Sequence, residues 1–390
     1  MLFDFIYYNP TRIHFGKDSL SKLKGEITSY GETILLIYGK NSIKKIGLYD
    51  EIVKILNECG KKVVELSGVM SNPTYSKVLE GGKLVRENNV DLILAVGGGS
   101  VIDCAKAISV SAYCEGDAFT RYWINFEPIN NKIVPVGSVL TMVGTGSEMN
   151  GGSVITNEEL KLKNGRVYPS EVYPKFSILN PEYTFSVPQY QMVSGIFDIM
   201  SHLMEQYFSG NDNNTTDYVI EGLLRSVIDN ARVAIKNPND YEARSNIMWS
   251  ATLALNTMAG LAKEQDWEVH MIEHQLGAYT DCAHGMGLAA ISIPYYTLKE
   301  LSGAAEDWRQ QRKQSKNYKG KFEDYLFEKG FHDLIYPCFS EFLETEYTDR
   351  EFMKYLLDPQ DHSVYEEDEL LRASEQQTET AKEEERNVSF

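Results

Sequence analysis

Five side chains in the second half of the sequence have the types and spacing of metal ligands. Asp198 and His202 are four residues apart, as are His270 and His274, and His284 follows in the same stretch. Residues four apart share one face of a helix, so each pair can direct two donors at one point. A carboxylate with imidazoles suits Fe(II) or Zn(II). One carboxylate and three imidazoles would leave a coordination position open for substrate, so one of the five should do other work.

A glycine-rich loop in the first half of the sequence is typical of phosphate binding. The segment Gly97–Lys106 (GGGSVIDCAK) follows the apolar strand Asp91–Val96 and continues with helical character. Glycines let the backbone approach a pyrophosphate, and free amides at a helix start bind its charge. Ser100 and Asp103 also have the spacing of a helix capping box, which is the purely structural alternative. The position between a strand and a helix favours phosphate binding.

The elements that carry these residues divide the sequence into two parts. In the first part, apolar strands such as Thr33–Tyr38 alternate with helical segments, which predicts a parallel sheet with ligands at the carboxyl ends of its strands. Lys132–Val136 is predicted as a further strand. After Pro188 the sequence has helical periodicity almost throughout. The predicted helices are Gln189–Phe208, Asp217–Ile235, Tyr241–Gly260, Glu268–Thr280 and His284–Ser302.

Composition excludes several classes of protein. The net charge of −18 over 390 residues argues against nucleic acid as a partner, because phosphate binding needs a basic surface. No apolar run approaches the roughly 18 residues that a membrane-spanning helix needs. The five cysteines are scattered and odd in number, as in a reduced protein rather than a disulfide scaffold. We therefore expect a cytoplasmic protein without nucleic-acid or membrane partners.

Several segments together resemble the iron-dependent (group III) alcohol dehydrogenases, in their butanol-dehydrogenase-like branch. They are Tyr38–Gly47 (YGKNSIKKIG), the glycine loop, Gly144–Asn150 (GTGSEMN), Pro174–Pro181 (PKFSILNP) and the histidine block. The third of these would alone be more typical of a tight turn. The resemblance implies an α/β dinucleotide-binding domain with a parallel sheet over residues 1–184 and an all-α domain over 185–390. It implies an active site in the cleft between them, where an aldehyde and its primary alcohol are interconverted.

The resemblance also assigns roles to individual residues. It implies a divalent metal, Fe2+ before Zn2+, on Asp198, His202, His270 and His284. It leaves His274 near the nicotinamide, where this side chain could relay the proton. A homodimer is expected. The cofactor contacts expected in the loops are Gly98, Gly99, Ser100, Asp103, Thr141, Met142, Ser147, Asn150 and Lys163.

The end of the first long strand bears on the choice between NADP(H) and NAD(H). An acidic residue there would bind the adenosine ribose and repel a 2′-phosphate. Gly39, Lys40 and Asn41 stand there instead, with no carboxylate among them. These three residues are predicted to contact the cofactor, and they favour NADP(H).

Two other classes of protein are alternatives. The segment His270–His274 (HMIEH) matches the H-x-x-E-H motif of inverted zinc proteases, with Glu273 as general base. This metallohydrolase hypothesis leaves the glycine loop, Asp198 and His284 without a role. An inactive acidic binding protein that keeps the fold would agree with the sequence after about residue 298, which is more polar than the corresponding family helices.

Overall fold

A computed structural model of the chain describes residues 4–208, 214–263, 265, 267–292 and 295–296. The chain divides into two compact units, Met1–Leu301 and Ser302–Phe390, and all of the described residues belong to the first. The unusual sequence after about residue 298 lies outside them, and the predicted domain boundary at residue 184 stays a prediction. None of the helices in this part of the chain combines the length and the apolarity that a membrane crossing requires.

A six-stranded parallel sheet forms the N-terminal part, as predicted. The strands are β1 (Arg12–Phe15), β2 (Thr33–Tyr38), β3 (Lys62–Leu66), β4 (Leu92–Gly97), β5 (Val136–Leu140) and, later in the chain, β8 (Phe176–Leu179). Their spatial order is β1-β8-β5-β4-β2-β3. The central strands β2 and β4 are buried along their whole length, as expected when helices cover both faces of a parallel sheet.

The prediction of a strand at Lys132–Val136 was wrong, since β5 begins only at Val136. Gly137 and Ser138 are weak strand formers, which hid the strand from the sequence pattern. The sheet needs the glycine, because a Cβ at position 137 would lie 2.3 Å from Cζ of Phe176 on β8. Packing between two strands therefore selects a residue that single-strand propensity disfavours.

Helices and one hairpin complete the α/β part. One hydrophobic core packs Ile34 and Leu36 of the sheet against Ile52 and Leu56 of the third helix. The hairpin was not predicted, and its antiparallel strands β6 (Gly152–Asn157) and β7 (Leu162–Val167) form a separate sheet. The helices are α1 (Leu23–Ile27), α2 (Ser42–Lys45), α3 (Leu48–Glu58), α4 (Tyr75–Asn88) and α5 (Gly99–Ser111), with 3-10 turns at Ser19–Lys22, Ser147–Met149 and Pro181–Thr184 and a π-helical turn at Phe119–Ile124.

Long helices form the rest of the described structure. They are α6 (Gln189–Tyr207), α7 (Asn214–Lys236), α8 (Tyr241–Ala254) and α9 (Glu268–Thr280), and residues 284–292 are again helical. The helix predicted to reach Gly260 ends at Ala254, whose carbonyl oxygen accepts a hydrogen bond of 2.8 Å from Gln206 of α6. The helix α6 is buried over most of its length, and it carries Asp198 and His202 into the interior.

Candidate metal and cofactor site

Three imidazole nitrogens converge on one carboxylate oxygen beside α6. Oδ1 of Asp198 lies 3.4 Å from Nε2 of His202, 3.6 Å from Nε2 of His270 and 3.6 Å from Nε2 of His284. Asp198 and His202 share one face of α6, whereas His270 stands on α9 and His284 begins the helical segment 284–292. The fold thus brings together four of the five candidate ligands.

This group of donors fits a divalent cation. In a tetrahedral site with metal–nitrogen distances of about 2.0–2.1 Å, the donor atoms are about 3.4 Å from one another. Within the described part of the chain, Asp198 Oδ1 and His270 Nε2 are buried and have no hydrogen-bond partner. Buried polar atoms without partners are costly, and a bound cation would satisfy both of them.

The electrostatics of the group also favour a cation. Burial would raise the pKa of the Asp198 carboxyl, but the adjoining imidazoles hold that pKa below its ordinary value. Burial lowers the pKa of His202 to about 3, which keeps its ring neutral. Burial opposes protonation of His270 as well, yet the neighbouring carboxylates of Asp198 and Glu205 raise its pKa to about 9. The negative potential that holds this proton would attract a divalent cation in its place.

Two carboxylates behind the imidazoles were missed as members of the site. Glu205 accepts a hydrogen bond from Nδ1 of His270, and Glu273 accepts one from Nδ1 of His284. A proton on Nδ1 leaves the lone pair on Nε2, which is the arrangement that orients histidine ligands around metals. A Glu three residues after a candidate ligand, at His202 and again at His270, is a sequence signal that marks both carboxylates as candidates, but it does not tell which imidazole each of them contacts.

A second group of donors is a poorer cation site. Glu273, His274 and His284 have donor atoms close enough to surround an ion. However, the Nζ of Lys163 lies 3.0 and 3.3 Å from the two carboxylate oxygens of Glu273. The lysine ammonium neutralises the carboxylate and would repel a metal. The same ion pair occupies the general base that the metallohydrolase hypothesis requires.

His274 lies beside the four converging donors without joining them. Its ring centroid is 5.8 Å from that of His284 and 6.4 Å from that of His270. Both of its ring nitrogens are buried without a hydrogen-bond partner among the described residues. Burial, aided by the neighbouring His284, lowers the pKa of His274 well below its ordinary value. A neutral ring with free nitrogens can exchange a proton with a bound molecule.

A cavity of about 430 Å³ connects these imidazoles to the glycine loop. Ser100 and Thr145 line it on the side of the α/β part, and His202 and His274 line it on the helical side. Apolar side chains also contribute to its wall, namely Val154, Leu255, Trp267 and Met271. The cavity therefore has polar ends and an apolar wall.

The glycine loop has the close approach that a phosphate loop requires. Gly98 precedes α5 and Gly99 begins it. A Cβ at Gly99 would lie 2.1 Å from Oγ1 of Thr145, so no other residue fits without rearrangement. Ser100 donates a hydrogen bond of 2.5 Å to the carbonyl oxygen of Ser71. No side chain caps the start of α5, so the alternative of a capping box is not realised and the first amides of α5 have no side-chain acceptor.

The other residues expected near the cofactor fall into two sets. Thr141 and Met142 follow β5, and Gly39, Lys40 and Asn41 follow β2. Because β2, β4 and β5 are parallel, their carboxyl ends and these loops lie along one edge of the sheet, where α/β folds bind ligands.

The second set is already engaged within the protein. Asp103 accepts hydrogen bonds of 2.5 Å from Ser147 Oγ and 2.9 Å from the Val154 amide. Oδ1 of Asn150 accepts hydrogen bonds from Lys106 Nζ at 3.2 Å and from the Gly152 amide at 2.8 Å. These bonds fix the 141–150 loop and the β6–β7 hairpin to α5. Contact of this set, and of Lys163, with a cofactor stays a prediction.

Comparison with known proteins identifies the family. Residues 10–181 match the family model described as iron-containing alcohol dehydrogenase, and residues 192–314 match that of the Fe-containing alcohol dehydrogenase family, C-terminal. The chain belongs to the iron-containing alcohol dehydrogenase family.

Individual relatives agree with this assignment. NADH-dependent butanol dehydrogenase A of Clostridium acetobutylicum is 43% identical over 292 residues, which cover 75% of this chain and 74% of that protein. The NADPH-dependent aldehyde reductase YqhD of Escherichia coli is 36% identical over 298 residues, or 74% of each chain. The crystal structure of NADH-dependent butanol dehydrogenase A from Thermotoga maritima matches with a TM-score of 0.71 at 42% identity, covering 73% of this chain and 72% of that one.

These findings decide between the three classes of function. The predicted family and fold class are confirmed, and so is a metal-dependent oxidoreductase of alcohols and aldehydes that uses a nicotinamide cofactor. The metallohydrolase and the inactive binding protein are not favoured. Substrate, preferred nicotinamide and individual site residues are the subject of the proposal below.

Proposed function

We propose that this protein interconverts short uncharged aldehydes and their primary alcohols in the cavity beside α6. The observation that carries the proposal is the convergence of three imidazole Nε2 atoms on Asp198 Oδ1, in a cavity that reaches the glycine loop. A divalent metal on these four residues, Fe2+ before Zn2+ because the family is iron-containing, would supply a Lewis acid toward the carbonyl oxygen, and the nicotinamide would supply the hydride.

We assign the proton exchange to His274. Its ring lines the cavity, and its two nitrogens have no partner within the described structure. Because burial keeps the ring neutral, it is ready to accept the proton of an alcohol hydroxyl. In the reductive direction the ring would take up a proton from solvent and pass it to the substrate oxygen, directly or through water.

The charges of the cavity support an uncharged substrate. Its lining contains three non-histidine charged side chains among the described residues, namely Asp103, Lys163 and Arg166. Asp103 and Lys163 have the internal partners given above, and Arg166 donates to the carbonyl oxygens of Tyr122 at 2.7 Å and Glu127 at 2.6 Å. Among the described lining residues, these side chains are therefore already held by internal partners and are not directed at a phosphate or carboxylate on the substrate. The apolar wall agrees with a butyl chain, which the name of the Clostridium relative also suggests.

We propose NADP(H) as the preferred nicotinamide. Gly39 is half-buried and Lys40 and Asn41 are exposed, so the end of β2 offers no carboxylate to repel a 2′-phosphate. Glu65 on the adjacent strand β3 is engaged within the protein, because its two oxygens accept hydrogen bonds of 2.7 Å from the hydroxyls of Tyr38 and Tyr49. The relatives are named both NADH- and NADPH-dependent, so the local charge is the argument here.

We propose further that the protein is a cytoplasmic homodimer. The four described cysteines are free, in keeping with a reducing compartment. Strand β1 lies at an edge of the sheet, and Phe5, Ile6 and Tyr8 before it are exposed apolar side chains. An open edge beside apolar side chains suits pairing with a second copy. A monomeric mass in sedimentation at micromolar concentration would exclude the dimer.

The decisive experiment combines metal analysis with an activity panel. Protein purified under anaerobic conditions should contain about one divalent metal per chain, as expected for a single site with four protein ligands. Straight-chain aldehydes should then be reduced with NADPH, and more slowly with NADH. A protein that holds the metal but reduces none of the aldehydes with either nicotinamide would overturn the proposed reaction.

A further inference from the structure

A buried ion pair joins the β6–β7 hairpin to α9. Nζ of Lys163 on β7 lies 3.0 Å from Oε2 of Glu273, and the two side chains are only 4% and 0% exposed. Removing both charges from water is costly, and the attraction between them offsets this cost only when the geometry is good and further hydrogen bonds are made. Net stability is therefore a weak explanation for such a pair, and its other contacts indicate its role.

The third member of the group is His284. Glu273 accepts a hydrogen bond from Nδ1 of His284, and Lys163 Nζ lies 3.5 Å from the same nitrogen. A lysine ammonium has three donors and no acceptor, so only the carboxylate can hold a proton on Nδ1. Lys163 in turn holds the Glu273 carboxylate in place, since its Nζ lies 3.0 and 3.3 Å from the two carboxylate oxygens. The lone pair of His284 is thereby left on Nε2, the atom 3.6 Å from Asp198 Oδ1.

Two helical glycines make room for the ion pair. A Cβ at Gly277 of α9 would lie 2.9 Å from Lys163 Nζ and 3.0 Å from Glu273 Oε1. A Cβ at Gly287 would lie 2.9 Å from Glu273 Cγ. Glycine is less favourable than alanine inside a helix. Glycine at position 277 therefore leaves space for Lys163 and Glu273, and glycine at position 287 leaves space for Glu273, at a cost in helix propensity.

We propose that Lys163 and Glu273 are positioning residues that set the tautomer and direction of His284, and hence the affinity for the metal. The inference rests on the proposed function, because it takes His284 as a metal ligand. It gives Lys163 a role through Glu273 instead of, or besides, direct contact with the cofactor. It also makes docking of the β6–β7 hairpin on α9 a condition for tight metal binding.

The test measures Co2+ binding to the metal-free protein by the visible absorption of the bound ion. Glu273→Gln, which keeps the shape of the side chain, should weaken Co2+ binding by about 10–100-fold and change the absorption spectrum. Lys163→Met should weaken it in the same direction, and Lys163→Arg should restore part of the loss. Both residues act on His284 through the same contact, so their effects should not add. The double variant should lose less Co2+ affinity than the two single variants together, and about as much as Glu273→Gln alone.

A second buried lysine provides the matched control. Lys263 pairs with Asp217 and donates a hydrogen bond of 2.9 Å to the carbonyl oxygen of Tyr207, and neither partner is a candidate metal ligand. Lys263→Met should lower the melting temperature of the metal-free protein without changing its Co2+ affinity or spectrum. An equal loss of Co2+ affinity in this control would overturn the inference, because it would show a general effect of destabilisation.

Other outcomes separate the inference from the proposed function. Wild-type affinity and spectrum in folded Glu273→Gln would overturn the inference and leave the proposed function intact. A Lys163→Met variant that binds Co2+ normally but has lost its affinity for NADPH would also overturn the inference and leave the proposed function intact, because it would show that Lys163 contacts the cofactor. A wild-type protein that binds no Co2+ would overturn the proposed metal site itself.

Discussion

Glu205 on α6 accepts a hydrogen bond from Nδ1 of His270, a residue 65 positions later in the chain. Its other carboxylate oxygen accepts the backbone N–H of Val269 at 3.0 Å. The residue that precedes α9, Trp267, makes no side-chain capping bond. One carboxylate therefore both orients a candidate metal ligand and satisfies an amide at the start of the helix that carries it.

Glu205→Gln should weaken both of these roles. The amide can still accept one hydrogen bond, but it loses the negative charge that favours a cation and the second strong acceptor for α9. We expect metal affinity to fall by about 10–100-fold and the melting temperature to fall as well. Both can be measured on the metal-free protein by Co2+ titration and thermal denaturation. Glu182→Gln, which removes an exposed ion pair with Lys17, is the control and should change neither quantity appreciably.

His270→Ala and His284→Ala should each lose most of the bound metal and nearly all activity. Each substitution removes one imidazole from a set of four donors, and the remaining three leave the cation incompletely held. His14 is the matched control, because it lies on the edge strand β1 and pairs with Glu26 of α1. His14→Ala should keep its metal. Stoichiometric metal in both His270→Ala and His284→Ala would contradict the assigned ligand set.

His274→Ala should separate proton exchange from metal binding. If His274 exchanges the proton, the variant keeps its metal and its affinity for NADP(H) but loses about 10²–10⁴-fold in turnover. Metal content, cofactor binding and steady-state rates measured on one preparation distinguish the possibilities. Loss of metal would make His274 a ligand, and an unchanged rate would make it a packing residue of the cavity wall.

The candidate ligands that helical periodicity places could be predicted from the sequence. The pair Asp198 and His202 lies on one helical face by periodicity alone, and α9 has its predicted bounds, Glu268–Thr280. The partners Glu205 and Glu273 could not be assigned in the same way. Glu205 meets His270 only because α6 packs beside α9, and Glu273 is explained only by the unpredicted hairpin that delivers Lys163. Such contacts depend on tertiary packing, which no local pattern encodes.

Gly39→Asp should move the cofactor preference toward NADH. A carboxylate at the end of β2 would bind the adenosine ribose and repel a 2′-phosphate. The substitution is sterically possible, since a Cβ at Gly39 would meet only the carbonyl oxygen of Val69, at 3.5 Å. The ratio of kcat/KM for NADPH to that for NADH should fall at least about tenfold, which is about 1.4 kcal/mol. A wild-type enzyme that already prefers NADH by that margin would show the argument from charge to be wrong.

Two glycine-to-alanine substitutions should have effects of opposite sign. At Gly222 in α7 a Cβ would meet nothing within 4 Å, so Gly222→Ala should raise the free energy of unfolding by about 0.5–1 kcal/mol through helix propensity. At Gly277 the new methyl would press on the buried pair of Lys163 and Glu273. Overpacking of this kind costs about 1–3 kcal/mol, which exceeds the gain in propensity, so Gly277→Ala should lower the free energy of unfolding. Urea denaturation of the metal-free proteins measures both, and a Gly277→Ala variant as stable as Gly222→Ala would show that the ion pair has room to move.

Since Glu273 holds His284, Gly277→Ala should also weaken Co2+ binding, whereas Gly222→Ala should leave it unchanged.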